Sequence, residues 1–192
     1  LALALIAIAT GVIGWLAGRP IEHAPGVLAS DDPQQHEITA LRWRHGEFDL
    51  EARAQFEIEA RVLSAESYRF DGGAALAPLD LALGWGAMSD SAVLAHFRTT
   101  QGARFFTLYP DESAPELYEA LRHSTNVHVI PADARIERLL RKTKIGALVH
   151  LEGMLVDASR ADGFTWHTSL TREDTGDGAC ELFFVKEYRQ LR

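Results

Sequence analysis

Eight histidines and a single cysteine, Cys180, carry the widest chemical repertoire in this chain. No HxH, HxxH or HExxH spacing occurs among the histidines. His128, His150 and His167 fall on predicted strands, and three strand histidines can converge on one zinc with an open fourth position. The competing reading is that each is a packed or surface histidine with its own hydrogen bond. One cysteine excludes an internal disulfide framework and a Cys-rich zinc site. Cys180 with His128 or His167, and Asp174 as orienter, has the residue types of a nucleophilic triad. A triad is defined by geometry, however, and a cysteine just ahead of an apolar strand is ordinarily buried and inert. Asp174-Thr175-Gly176 spells the aspartic-protease triplet, yet Thr171-Arg172-Glu173 precedes it in place of an apolar strand, and no second copy exists. It reads as a turn. Glu173, Asp174, Asp177 and Glu181 are out of register for a calcium loop. GxSxG, P-loop and GxGxxG patterns do not occur. No catalytic residue, metal ligand set or cofactor is therefore assigned.

The stronger signal is aromatic and polar. Trp85 lies between glycines and close to Asp90, and Trp166 lies on a predicted strand near Arg172. Glycines beside a tryptophan let backbone or ligand approach closely, and tryptophan and arginine are favoured interface anchors. The candidate binding surface is Trp85, Asp90, Arg104, His128, Trp166, Arg172 and Asp174. The alternative is that the tryptophans plug the ends of a small core.

The elements that would position these residues divide the chain in three. Residues 1–18 contain no charged group. As a helix they would span about 27 Å, against roughly 30 Å of hydrocarbon. Trp15 and Arg19 suit the interface, and Trp15 makes a poor signal-peptide cleavage site. This predicts a transmembrane anchor, with Gly11, Gly14 and Gly18 as a face for packing against a partner helix. Residues 19–36, with Pro20, Pro25 and Pro33, read as an extended linker. Residues 37–192 read as a soluble β-rich domain.

Within that domain, alternation predicts strands over Ile38–Trp43, Phe48–Arg53 and Phe56–Val62. Ala75–Ser89 reads as an irregular packed loop because of Pro78, Gly84 and Gly86. Asp90 or Ser89 should cap a helix through Phe97. Ser113-Ala114-Pro115-Glu116 is a capping-box pattern opening a helix to about His123. Further strands are predicted over Arg104–Tyr109, Asn126–Ile130, Ala147–Leu155, Phe164–Ser169 and Leu182–Val185, with a helix over Ala132–Lys144. The fold class is α+β: an N-terminal transmembrane helix, then a partly open OB-like or SH3-like barrel with two to three short helices.

Three segments carry a resemblance. They are Pro78–Gly86 (PLDLALGWG) with Met88-Ser89-Asp90, Asn126–Ala132 (NVHVIPA), and Asp174–Glu181 (DTGDGACE). The chain resembles a family of bacterial proteins with one N-terminal membrane helix and no known activity, which implies a cell-envelope setting. Basic residues do not crowd the exit of the anchor, so the domain is expected on the periplasmic side of the inner membrane. A net charge of −8 gives phosphate backbones no global attraction, and no nucleic acid is expected. The functional expectation is a non-enzymatic binding or accessory subunit of an inner-membrane assembly. Its partners would be the lipid bilayer and other membrane-protein subunits, held by helix packing and periplasmic contact. The alternative is an envelope hydrolase, metal-assisted, using His128 and the Asp174 loop.

Overall fold

Three strands open the domain: β1 (Gln34–Glu37), β2 (Arg42–His45) and β3 (Phe48–Ser67). The computed structural model describes residues 19–171 and 179–191. Strand β3 is 20 residues long, and strict alternation puts Phe56, Ile58, Ala60 and Val62 inward while Gln55 and Glu59 face water. Its length lets one strand pair with β1, β2 and two barrel neighbours. The first part pairs with β8 (Leu148–Arg160), and the last part pairs with β4 (Leu79–Gly84). A register shift at Ala52/Ala54 bends β3 within the β8 pairing, and another at Val62/Ser64 bends it where the β4 pairing begins.

Next come β5 (Phe97–Gly102) and β6 (Phe105–Pro110), a separate two-stranded ribbon. Strands β7 (Ser124–Pro131), β9 (Thr165–Trp166) and β10 (Glu181–Gln190) complete the set among the described residues. The main sheet runs β3-β4-β7-β10-β8 and returns to β3 through the β3–β8 pairing. All these pairs are antiparallel except β7 with β10. In chain order the barrel strands run 1-2-3-5-4-1, with a helix between the third and fourth, which is the connectivity of an OB barrel.

The interior is apolar: Phe56, Leu81, Trp85, Val127, Leu151 and Phe183 belong to one buried cluster. Two satellite clusters lie outside the barrel wall. One gathers Ile130, Leu182 and Phe184 with Trp43 and Trp166. The other gathers Ala82, Met88, Phe97 and Leu108 beneath the β5–β6 ribbon. Helices are short: α1 (Ser91–Leu94), α2 (Leu117–Arg122) and α3 (Ala134–Leu140). Asp90 and Asp133 cap α1 and α3 by accepting backbone N–H bonds.

The fold-class expectation is corrected. No helix among the described residues is long and apolar enough to cross a membrane. The described chain is a β-rich domain, and its barrel is closed by the β3–β8 ladder where a partly open one was expected. The predicted anchor, with Gly11, Gly14 and Gly18, lies outside the described residues. Ala75–Ser89 is another correction, because it contains the central strand β4. All six β4 residues are buried, so no alternation marks them, and the punctuating Pro78 and Gly84 lie just before the strand and at its end. The capping box does not form. Helix α2 begins at Leu117, and the Ser113 N–H is taken by Asp111.

Residues 19–33 are extended but pinned across one end of the barrel. The Ile21 N–H donates to the Ile145 carbonyl, the Gly26 N–H to Asp90, and the Leu28 and Ala29 N–H groups to the buried Ser89 hydroxyl. Trp85 donates its indole N–H to Asp32 at 2.8 Å.

Glycine matters most where backbones touch. A Cβ on Gly153 would collide with the Phe184 carbonyl across the β8–β10 pair. Gly46 has φ +60 in the β2–β3 turn, with open space around it. Gly153→Ala should therefore destabilise by about 3 kcal/mol or more, and Gly46→Ala by only about 1 kcal/mol. Urea denaturation of the two variants measures both.

Candidate functional site

Three adjacent strands, β4, β7 and β10, turn one face into the barrel and the other outward. On the outer face Asp80 of β4 lies directly opposite His128 of β7, and both are buried. Ala82 on one side joins the ribbon's apolar cluster, and Ile130 on the other joins the Trp166 cluster. Asp80, His128 and Asn126 thus form a polar belt between two apolar patches. Buried polar groups need partners, and here the partners arrive from the β5–β6 ribbon.

The ribbon turns through Ala103 and Arg104, with φ values of 49° and 70°. Two successive left-handed residues match the twist of a hairpin, but glycine or asparagine normally fills such positions. Each non-glycine residue there costs on the order of 1–2 kcal/mol. Arg104 offsets that strain by anchoring the turn. Its Nε and Nη2 grip both oxygens of Asp71, at 3.1 and 2.8 Å. Its Nη1 donates to Asp80 Oδ1 and to the Ala77 carbonyl, both at 2.8 Å. Its guanidinium lies 3.8 Å from the centre of the Tyr68 ring and 5.4 Å from that of Trp166. The backbone is held too: the Arg104 N–H donates to the Tyr68 hydroxyl, and its carbonyl accepts from Asn126.

His128 lies against the Trp166 ring, centroids 4.6 Å apart. Its Nδ1 is 3.0 Å from Asp80 Oδ2, within ion-pair reach but outside hydrogen-bond geometry. Trp166 can lie this low because Gly73 is beneath it; a Cβ there would meet the ring. Asn126 also donates to the Cys180 sulfur, and Gln101 donates to Asn126. The Asp71 carboxyl is held below its ordinary range, chiefly by the Arg104 hydrogen bonds. Burial pushes the Tyr68 phenol up.

Of the residues singled out from sequence, Arg104, His128 and Trp166 come together here. Trp85 does not: it is 1 % exposed and plugs the barrel core. Asp90 fastens the N-terminal strap and caps α1, and its hydrogen bond from the Gly26 N–H is the main reason its carboxyl is held low. Arg172 and Asp174 lie outside the described residues. The three strand histidines stay apart, each beside a different carboxylate: His128 by Asp80, His150 by Glu57 and Glu59, and His167 by Asp157. Among the described residues no three His, Cys, Asp or Glu side chains are grouped to hold a metal ion. Sequence reasoning missed Tyr68, Asp71 and Asp80. The available signal was Asp80 within an otherwise apolar run, since a buried carboxylate requires a cation.

No protein-family model, curated protein or solved structure matches the chain. Of the three segments that carry the family resemblance, Pro78–Gly86 contains β4, Asn126–Pro131 lies in β7 and Glu181 opens β10, while residues 174–178 lie outside the described residues. Strands β4, β7 and β10 are those that build the polar belt.

Arg104→Lys keeps the charge but loses the fork. It should cost about 2–4 kcal/mol of stability, because Asp80 stays buried without its hydrogen-bonded partner. Asp71→Asn should cost less at neutral pH, since Asp71 is partly exposed. Its sign with pH follows from the lowered carboxyl. The stability Asp71 contributes is complete above the ordinary carboxylate value of 3.8 and is lost as pH falls through its lower folded value. The gap between wild type and Asp71→Asn should therefore close only on that acid side, which denaturation curves from neutral to acid pH would read.

Proposed function

We propose that this chain is a non-enzymatic binding or accessory component of a protein assembly, in the bacterial envelope setting that the family resemblance implies. The observation that carries this reading is Phe70. Its side chain is 98 % exposed, yet its loop is held on both sides, at Tyr68 and Asp71, by the same arginine. Phe105, directly after Arg104, is also exposed at 41 %. Scattered exposed aromatics are ordinary. Two aromatics displayed beside one anchored guanidinium are a pre-organised contact, since little loop freedom remains to be lost on binding. Aromatic anchors of this kind dominate protein interfaces.

The rest of the belt supports a binding role over a catalytic one. Arg104 is spent on internal acceptors, and His128 lies beneath Trp166 at 4 % exposure. A general base must reach its substrate. Here the protein's own indole occupies that approach.

Phe70→Ala should leave stability within about 0.5 kcal/mol of wild type, because the ring packs on nothing. It should weaken partner binding roughly tenfold or more, as loss of an interface anchor does. A photo-reactive phenylalanine analogue at position 105, used in the producing cell, should yield one discrete protein adduct that Phe70→Ala abolishes. The reading fails if position 105 crosslinks no more specifically than the exposed Glu59 on β3.

A further inference from the structure

A second arginine is partnered very differently. Arg61 of β3 is only 9 % exposed, at the point where β3 passes from β8 to β4. Its Nη1 donates to the Ser89 carbonyl at 3.1 Å and to the Ser91 hydroxyl at 2.8 Å. Both acceptors are neutral. Among the described residues no acceptor takes its Nε or Nη2, and neither nitrogen is among the sealed polar atoms that lack a partner. That side-on edge therefore keeps contact with the cleft that Arg61 lines, a space of about 360 Å³ between the N-terminal strap and the barrel.

The cleft has two kinds of wall. Ile21, Leu94 and Ile145 are apolar, and Ser91 and Thr99 add hydroxyls beside Arg61. Two acids bear on the cation. Glu22 lines the cleft from an exposed position. Asp90 attracts the guanidinium from beyond ion-pair distance, and its oxygen already accepts from Gly26 and Ala92. Desolvation outweighs that attraction, so the guanidinium is pushed below its ordinary value. A buried cation facing only neutral acceptors is costly unless a counter-charge reaches it.

We propose that this cleft is a binding site for a carboxylate carrying a short apolar chain, gripped side-on by Nε and Nη2 of Arg61. The same protein shows the bond: Arg104 holds Asp71 through that edge. The carboxylate supplies the missing counter-charge, and its chain lies against Ile21, Leu94 and Ile145. The site is separate from the Phe70 surface and does not depend on the role assigned to it.

The test uses hexanoate as probe, with hexanamide as its uncharged match and inorganic phosphate as an anion without a chain. Amide NMR on the full chain should show saturable shifts at Ser91, Leu94, Thr99 and Ile145 with hexanoate alone. Arg61→Gln should weaken binding by about tenfold or more. Should that variant not fold, Leu94→Trp fills the cleft while keeping Arg61, and it should abolish the shifts. Equal shifts from hexanamide, or from phosphate at the same affinity, overturn the proposal. So does the lack of a saturable shift with hexanoate, or wild-type binding by a folded Arg61→Gln or by Leu94→Trp.

Discussion

The guanidinium of Arg104 is the group on which three otherwise separate pieces of chain depend. It fixes a hairpin tip that has two left-handed residues and no glycine at either. It closes the loop from Tyr68 to Ala77 through Asp71, the Tyr68 ring and the Ala77 carbonyl. It also neutralises Asp80, the second residue of a fully buried strand. Each of these features alone is unfavourable: strained turn, ordered loop, buried carboxylate. Together they are consistent, because one planar fork satisfies all three in a single geometry. A lysine could match the charge but not the directions.

This arrangement also explains where the barrel's outer face has gone. OB barrels commonly bind ligands on the face of their second and third strands, here β4 and β7. In this chain the segment between those strands carries the β5–β6 ribbon, which folds back over that face. Trp166 covers the rest from the other side. The polar belt is therefore interior chemistry whose work is structural. Phe70 and Phe105 stay exposed at the rim of that cover.

Some of this was legible in the residues. The period-2 pattern at Phe56–Val62 marked β3, and the helix expected over Ala132–Lys144 contains α3, because both signals are local. Arg104, His128 and Trp166 stood out by residue type, and they do meet. Strand β4 was not legible, since a strand buried on both faces shows no alternation. Nor was Asp71 as a partner, because the ion pair joins residues 33 positions apart and no local rule links them. Trp85 misled for a physical reason. Glycine flanks suit a ligand-facing loop and equally suit a tight corner where an indole turns into the core, as Gly86, with φ +50 and its N–H bound to Ala29, does here. The strap was hidden in the same way. Prolines make a segment extended, but whether it hangs free or lies on the barrel depends on Ser89, Asp90 and Ile145, far along the chain.

The two arginines bear on each other. Arg61 lies where β3 passes from one neighbour to the next, and Arg104 lies at the tip of a hairpin. Arg104 is met by two carboxylates, a carbonyl and two aromatic rings, and it orders everything around it. Arg61 is met by a carbonyl and a hydroxyl and leaves its bidentate edge over. A chain that can place Asp71 and Asp80 on one guanidinium is able to place a carboxylate on the other. Asp90, whose charge acts on Arg61, instead spends its acceptor oxygen on the Gly26 and Ala92 N–H groups and so holds the strap that forms the cleft's outer wall. The carboxylate that could have satisfied Arg61 from within builds the opening through which one from outside would enter.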